Sequence, residues 1–285
     1  MEIISQKDGW LNIGYSGSFS VFKTFDCGQC FRFDPVSDDK FDHRVDGVAF
    51  GRSVSFAERE GKLFVRASEE DFNSIWEKYL ALDVDYAAID ISIVDALPLC
   101  DRAHMSLAAE TGRGIRILRQ DPWEALCSFI VSQNNNIPRI KKIIASMSER
   151  YGEDLGGMYS FPTAEALMNA GEEEIFALRT GFRAKYIYDA AKKVATGELD
   201  LSQVAAQKNY DDAARMLMTV SGVGPKVAAC TLLFGFGRTD AFPVDVWIKK
   251  VIERRFPNGL DHTVFGEYAG IAQQYLFYYE RYVEA

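Results

Sequence analysis

The sequence predicts an α+β fold with two domains. A β-rich N-terminal domain with an antiparallel sheet spans residues 1–112, and an all-α domain spans residues 113–285. Apolar and polar residues alternate along short segments before residue 69, and from there onward the apolar residues recur with a helical period. Charge divides the chain in the same way. The first 110 residues hold 11 Lys and Arg against 20 Asp and Glu, a balance of −9, whereas the remainder holds 21 of each.

Four N-terminal segments predict strands, because their residues alternate and Gly or Asp lies between them. They are KDGWLNI (7–13), SFSVFKTF (18–25), HRVDGVAFGRSVSFAERE (43–60) and GKLFVRAS (61–68).

Helices are predicted for amphipathic or apolar segments at 69–83, 89–99, 121–133, 137–152, 163–171, 172–179, 183–197, 210–220, 224–237, 244–256 and 264–283. Asp121 and Thr163 are expected to cap helix starts, and Gly152 and Gly197 to end helices.

Composition narrows the class of protein. The chain is 48% hydrophobic and 26% charged, which is typical of a soluble protein, and neither a transmembrane run nor a signal-peptide core is expected. Five cysteines without framework spacing favour a reducing compartment, so a cytoplasmic location is expected. A monomer is expected because the predicted helices leave no exposed apolar helix over. Cys27 and Cys30 resemble half a metal site, but without a second pair zinc is not expected. The net charge of −9 argues against a nucleic-acid partner, but its confinement to the first part leaves the second free to form basic patches.

A short glycine-containing link joins two of the predicted helices, at about 211–219 and 225–234. In this link, VSGVG, Gly222 and Gly224 allow the backbone to approach another molecule closely. The free N–H groups that start the second helix favour an anionic oxygen such as a DNA phosphate. The pattern is a helix-hairpin-helix signature, although an ordinary turn between helices could carry the same glycines. A nucleotide kinase phosphate loop is excluded, because Val227 rather than Ser or Thr follows Lys226.

Lys226 lies in the first turn of the second helix, where the helix dipole disfavours a cation. A solvated lysine would tolerate this position. Alternatively, the helix start and partial burial disfavour the ammonium and leave a nucleophilic amine. Further along, Asp245 in AFPVDVW is expected to begin another helix. As a plain N-cap it would contribute about 1 kcal/mol, and capping would also fix the direction of its carboxylate.

The hairpin, Lys226 and PVDVW together resemble the helix-hairpin-helix, Gly/Pro-Asp superfamily of DNA glycosylases. Members that only hydrolyse the glycosidic bond have the aspartate without the lysine. The resemblance therefore implies a bifunctional glycosylase and abasic-site lyase, with Lys226 and Asp245 as its catalytic residues. Endonuclease III, one such enzyme, carries four cysteines near its C-terminus for an iron–sulfur cluster. The last cysteine here is Cys230, so no such cluster is expected.

Three further stretches resemble the 8-oxoguanine DNA glycosylases, in the same order and spacing. They are FDCGQCFRF (25–33), ILRQDPWEALCSFIVSQNNNIPRI (117–140) and AGIAQQYLF (269–277). The similarity covers nearly the whole chain. It implies a helix-hairpin-helix glycosylase domain whose C-terminal helix contributes to the base pocket. It also implies base excision repair of double-stranded DNA containing 8-oxoguanine paired with cytosine, without a redox cofactor or catalytic metal.

The resemblance assigns four residues to the damaged base. The Gly28 carbonyl would accept the N7–H that distinguishes 8-oxoguanine from guanine, Gln273 would bind the Watson–Crick edge, and Cys230 and Phe277 would cover the two faces. Without the resemblance, Gly28 is a plausible β-turn glycine, and a cysteine and a phenylalanine on helices belong more often to a core.

Four other residues are assigned to the opposite strand. Extruding a nucleotide costs a few kcal/mol and leaves a gap in the stack. The resemblance places Asn134 in the gap, Arg139 and Arg183 on the orphaned cytosine, and Phe182 as a wedge beside it. The asparagines also fit a helix break with Asn136 as N-cap, and Arg139 fits a solvated basic face.

Contacts with the DNA backbone are expected from Gly222, Gly224, Val227 and Trp247. A weak structural ion, monovalent or calcium, is implied at the backbone carbonyls of Met218, Val220 and Val223.

The implied mechanism is attack of Lys226 on C1′, departure of the base, and strand cleavage by β-elimination through a Schiff base. Trp247 stands where eukaryotic members have a histidine, and Ala229 where they have an acidic residue. The CGQC motif with its two cysteines and the absence of a basic nuclear-localisation run favour the prokaryotic branch. Two other functions remain open. One is a glycosylase for an alkylated base or an oxidised pyrimidine, and the other is a non-catalytic module that binds DNA structure through the hairpin.

Overall fold

The computed structural model describes residues 2–15 and 17–283 of the chain and has the predicted α+β architecture. Six antiparallel strands form one sheet in the order β1-β2-β6-β5-β4-β3. Their bounds are β1 Glu2–Lys7, β2 Trp10–Gly14, β3 Phe33–Pro35, β4 His43–Ala49, β5 Arg52–Arg59 and β6 Lys62–Arg66.

Fourteen α-helices are found in the described residues. They are α1 Val21–Asp26, α2 Glu69–Asp71, α3 Glu77–Tyr79, α4 Tyr86–Asp95, α5 Leu99–Gly112, α6 Pro122–Ser132, α7 Ile137–Tyr151, α8 Ala164–Ile175, α9 Ala184–Ala195, α10 Leu201–Ala206, α11 Tyr210–Leu217, α12 Pro225–Gly235, α13 Val246–Arg255 and α14 Ala269–Tyr282. Two π-helical segments, Phe72–Trp76 and Phe176–Thr180, and two 3-10 segments, Gly181–Arg183 and His262–Tyr268, complete them. None of these helices is both long and apolar enough to cross a bilayer.

The sheet packs one face against α1 and the α2–α3 region around a cluster of aromatic rings. Phe56 on β5 stacks on Phe25 at a centroid distance of 5.2 Å and contacts Trp76 edge-on at 5.7 Å. Phe33 and Tyr79 extend the same cluster. Alternation along β5 and β6 turns every second residue toward these rings, which is the pattern from which the strands were predicted.

The prediction of a strand over SFSVFKTF was wrong, because Val21–Asp26 of this segment is helix α1. Ser20 caps it, with its hydroxyl accepting a hydrogen bond from the N–H of Lys23 at 3.3 Å. Val21, Thr24 and Phe25 are all buried. Their i, i+3, i+4 spacing covers one helical face, and this burial outweighs the alternating pattern.

The helices pack around a second core that includes residues of α4 and α5 together with Cys27, Phe31 and Ala81 from the N-terminal part of the chain. The core under the sheet in turn includes Leu118, so the two cores are not divided at a single point of the chain. The predicted domain boundary at residue 112 stays a prediction. Helices α5 and α10 were not among the predicted segments.

The predicted helix limits are confirmed at four points. Asp121 and Thr163 accept N–H hydrogen bonds as the N-caps of α6 and α8. Gly152 follows α7 as its C-cap, and Gly197 adopts φ 77° just after α9. Local capping chemistry therefore sets these limits much as the sequence indicated.

Candidate active site

The predicted hairpin is formed by α11 and α12 and the turn between them. Gly222 adopts φ 76°, and a Cβ at this position would lie 2.5 Å from ring atoms of Tyr186. Gly224 is the N-cap of α12 and contributes no side-chain cap, and the space around its Cα is open. The N–H groups that begin α12 are therefore available to an anionic oxygen.

Two charged side chains on α9 bind backbone groups of the hairpin turn. The Lys193 ammonium donates to the Thr219 carbonyl at 2.5 Å and pairs with Asp189 at 3.1 Å. Asp189 in turn accepts the N–H of Ser221 at 2.7 Å. Burial acts to raise the pKa of Asp189, but the hydrogen bonds from Ser221 and Lys193 outweigh it and leave the pKa lowered. The turn is thus fixed to α9 by both its donor and its acceptor groups.

Lys226 and Asp245 line the same pocket, at the starts of two different helices. Lys226 is in the first turn of α12, half-buried, with its Nζ 5.7 Å from the centre of the Phe129 ring. Asp245 is the N-cap of α13, and its Oδ1 accepts from the N–H groups of Trp247 at 3.0 Å and Ile248 at 2.9 Å. The predicted capping role of Asp245 is confirmed, and it holds the carboxylate at the pocket wall.

Gly28, Cys230, Gln273 and Phe277 line this pocket together with the lysine and the aspartate. Gly28 adopts φ 78°, and a Cβ there would lie 3.8 Å from the Phe277 ring. Burial raises the pKa of the Cys230 thiol, against the opposing effect of Lys226.

The cavity between these walls measures about 60 Å³. This volume suits a few water molecules rather than a purine.

Gln273 carries an unusual unsatisfied group. The side chain is buried on α14, 4% exposed, and among the described residues its Oε1 has no hydrogen-bond partner. A buried acceptor needs a donor from water or from a ligand. The pocket therefore offers an acceptor to a group that carries N–H donors.

A wider groove of about 620 Å³ opens from the pocket to the surface and shares Gly28, Lys226, Asp245 and Phe277 with it. Its other walls include four residues predicted to contact DNA, namely Asn134, Gly224, Val227 and Trp247. The groove therefore leads from the predicted DNA-contacting surface directly to the lysine.

Asn134, Phe182 and Arg139 are exposed, and Asn134 adopts φ 47° in the turn between α6 and α7. Asn136 caps α7, as the sequence indicated. The Arg139 guanidinium donates to the Arg179 carbonyl at 3.4 Å. Phe182 projects from the 3-10 segment with 51% of its surface exposed.

Arg183 differs from these exposed neighbours, because it is only 3% exposed. Its guanidinium donates to the carbonyls of Gln133, Asn134 at 2.8 Å and Thr180 at 3.1 Å, and it lies 4.4 Å from the Phe182 ring. In this arrangement Arg183 shapes the turn that presents Asn134.

The carbonyls predicted to bind an ion lie in the hairpin turn. That of Val220 accepts the N–H of Val223 at 3.0 Å. No group of three or more His, Cys, Asp or Glu side chains within residues 2–15 and 17–283 could hold a metal.

Several pocket residues were missed by sequence reasoning, among them Phe129, Phe234, Pro243 and Gln274. Phe129 and Phe234 stack at 5.3 Å behind Lys226. In the sequence they are ordinary apolar positions of buried helices, and nothing in their spacing separates a pocket wall from a core.

Two family models match the chain and together span residues 13–263. Residues 13–126 match the 8-oxoguanine DNA glycosylase N-terminal domain, and residues 127–263 match the HhH-GPD superfamily of base excision DNA repair proteins.

Relatives and solved structures extend the likeness to nearly the whole chain. The N-glycosylase/DNA lyase OGG1 of Arabidopsis thaliana is 33% identical, over 89% of this chain and 75% of the relative. The N-glycosylase/DNA lyase of Saccharomyces cerevisiae is 31% identical, over 89% and 72%. The Clostridium acetobutylicum 8-oxoguanine glycosylase/lyase, in complex with double-stranded DNA containing cytosine opposite 8-oxoguanine, superposes with a TM-score of 0.89 and 34% identity, over 100% of this chain and 99% of that one.

Proposed function

The chain belongs to the 8-oxoguanine DNA glycosylases of the HhH-GPD superfamily, and we propose that Lys226 is the nucleophile of its reaction. A member of this family is a DNA N-glycosylase with lyase activity at abasic sites. The observation that carries the proposal is that Lys226 and Asp245 share one pocket with Gly28, Gln273 and Phe277. Residues assigned separately to catalysis and to base binding thus meet around one cavity.

The proposed substrate is double-stranded DNA containing 8-oxoguanine paired with cytosine, as in the DNA bound to the Clostridium acetobutylicum relative. The unpartnered Oε1 of Gln273 would accept from the Watson–Crick edge of the base. Cys230 and Phe277 would cover its faces, and the Gly28 carbonyl would accept the N7–H that guanine lacks. A normal guanine would present an acceptor to that carbonyl and be rejected.

In the proposed reaction the lone pair of Lys226 Nζ forms a bond to C1′ while the glycosidic bond breaks. The base leaves with the electron pair of the glycosidic bond and takes up a proton, and the lysine nitrogen loses a proton. Asp245 stabilises the positive charge that develops on the sugar. The sugar ring then opens to a Schiff base between Nζ and C1′. Loss of a proton from C2′ then forms a double bond between C2′ and C3′, and the 3′ phosphate leaves with the electron pair of its bond to C3′.

Around the lesion, Asn134 would fill the gap in the stack, Phe182 would wedge beside it, and Arg139 with Arg183 would bind the orphaned cytosine. Because Arg183 already donates to the carbonyls of the Asn134 turn, it would act on the cytosine through that turn or exchange one of these bonds on binding.

The hairpin would grip the backbone through Gly222 and Gly224, together with Val227 and Trp247. A structural ion at the hairpin carbonyls would support this grip, and the enzyme would act as a monomer without a cofactor.

The test is borohydride trapping on a duplex with 8-oxoguanine opposite cytosine, using wild type, Lys226→Gln and, as a matched control, Lys62→Gln on β6, far from the pocket. Borohydride reduces a Schiff base to a stable covalent adduct. We expect an adduct with wild type and Lys62→Gln and none with Lys226→Gln. An adduct that persists in Lys226→Gln would refute the assignment of the nucleophile. Cleavage of other damaged duplexes with no action on 8-oxoguanine would refute the substrate.

A further inference from the structure

The peptide groups on both sides of the Gly28–Gln29 peptide are held by glutamine side chains from distant parts of the chain. Gln274 on α14 donates from Nε2 to the Cys27 carbonyl at 2.9 Å. Gln120, just before α6, donates from Nε2 to the Gln29 carbonyl at 2.7 Å. Both side chains are buried, with 2% and 8% of their surfaces exposed. Two buried amides thus hold the peptides before and after the one that carries the Gly28 carbonyl.

The side chain of Gln29 stabilises the loop that contains Gly28, residues 27–30. Its Nε2 donates to the carbonyls of Thr24 and Arg116, both at 2.8 Å, and its Oε1 accepts the N–H of Leu118 at 2.8 Å. Gln29 is 1% exposed. The loop is therefore tied to the segment that leads into α6 as well as to α14, although it contains no regular secondary structure of its own.

Gly28 is the residue of this loop that most needs external restraint. At φ 78° it occupies a region that glycine enters and leaves at little cost, so its own backbone does not fix its carbonyl. The Gly28 carbonyl belongs to the peptide between Gly28 and Gln29, so its direction depends on the two peptides that flank this one. Gln274 holds the Cys27–Gly28 peptide on one side, and Gln120 holds the Gln29–Cys30 peptide on the other.

We propose that Gln274 and Gln120 are positioning residues that aim the Gly28 carbonyl and thereby set discrimination between 8-oxoguanine and guanine. The inference rests on the proposed function, in which that carbonyl accepts N7–H of the base. Gln273 and Gln274 are neighbours on α14 and both line the pocket, and Gln274 in addition donates to the Cys27 carbonyl. The same part of α14 therefore positions both proposed base contacts, Gln273 and the Gly28 carbonyl.

The test compares two reactions of the full-length enzyme. Gln274→Met and Gln120→Met each keep the side-chain volume and remove the amide donor, and Gln203→Met on exposed α10 is the matched control. Single-turnover release of 8-oxoguanine opposite cytosine is measured beside nicking of a preformed abasic site, which has no base for the carbonyl to contact. Melting temperatures are recorded for all variants.

We expect the maximal rate of 8-oxoguanine release to fall about tenfold to a hundredfold in both variants, since a reacting group displaced by about 1 Å loses on that order. Abasic-site nicking should stay within about twofold of wild type. A second substitution, Gln274→Glu, keeps the shape but turns an oxygen toward the Cys27 carbonyl, and it should impair base release at least as much.

Three results would overturn the inference. Undiminished release of 8-oxoguanine by Gln274→Met and Gln120→Met would show that the amides do not aim the carbonyl. An equal loss of base release and abasic-site nicking would show a general structural role. If Gln274→Met does not fold, Gln120→Met and Gln274→Glu decide by the same two rates. A wild-type enzyme that nicks abasic sites but releases no 8-oxoguanine would instead refute the proposed substrate, and this inference with it.

Discussion

Replacing Asp245 by asparagine is expected to remove most of the activity and little of the stability. Both capping bonds of Asp245 end on Oδ1, at 3.0 Å and 2.9 Å, and an asparagine keeps an acceptor oxygen at that place. Asparagine and aspartate are nearly equivalent N-caps. The substitution nevertheless removes the negative charge from the pocket that contains Lys226.

The two effects differ in size. Loss of the charge at the start of α13 costs about 0.5 kcal/mol of stability through the helix dipole. Asp245→Ala also loses the cap, for about 1 kcal/mol more. In a chain of this size each kcal/mol corresponds to about 2 °C in melting temperature, so Asp245→Ala should melt about 2 °C below Asp245→Asn. Loss of one preorganised electrostatic group lowers the chemical rate about 100- to 1,000-fold, and both variants should show this loss.

The assay is single-turnover release of 8-oxoguanine, with a melting curve for each variant. The prediction depends on the separation of charge from capping. If Asp245→Asn melts as low as Asp245→Ala, the cap does not depend on Oδ1 as the structure indicates. If Asp245→Asn keeps full activity, the charge does not stabilise the reacting sugar, and Asp245 is a capping residue alone.

Two further predictions concern stability. Burial raises the pKa of Glu124 from its ordinary value of 4.5 to about 7, although Arg32 lies 3.8 Å away and acts to lower it. Between pH 4.5 and about 7 the folded protein therefore keeps a proton on Glu124 that the unfolded chain releases. Stability should therefore fall as the pH rises through this window, and melting curves of Glu124→Gln should depend less on pH; parallel curves would contradict this. Gly222→Ala would place a Cβ 2.5 Å from the Tyr186 ring at a φ of 76°, so it should lower the free energy of unfolding by about 1–3 kcal/mol. Gly224→Ala has open space around it, so it should keep the melting temperature. It should nevertheless weaken DNA binding in an anisotropy titration. Equal melting temperatures would show that the turn is not tightly packed.

Local chemistry explains which parts of the fold the sequence could predict. Three side chains, those of Asp121, Thr163 and Asp245, cap helices by accepting from N–H groups two or three residues away. The sequence pattern that predicts these helix starts therefore spans only a few residues. The segment Val21–Asp26 was mistaken for a strand because its apolar residues fit both periods over so short a length. The burial of Val21, Thr24 and Phe25 favours the helix, and such packing is not visible in the local sequence.

The same limit applies to the candidate site. Lys226 and Asp245 could be predicted, because each stands in a recognisable motif at a helix start. Gln274 and Gln120 could not, since their partners lie 247 and 91 residues away in the sequence. Nor could the sequence show that Arg183 donates to three backbone carbonyls. An arginine that binds DNA and an arginine that stabilises a turn cannot be told apart from the residue type alone.

Gln273 is the pocket residue whose side chain most clearly offers a hydrogen bond to a ligand. Its Oε1 has no donor among the described residues, and the pocket that it lines has room for a few water molecules. The next residue, Gln274, is equally buried, but its Nε2 donates to the Cys27 carbonyl. Under the proposed function, a base that brings an N–H donor to the Gln273 oxygen gains a hydrogen bond there, whereas a base without such a donor leaves the oxygen unpaired at a cost of about 1–3 kcal/mol. The same atom would therefore help the enzyme to select the base that it removes.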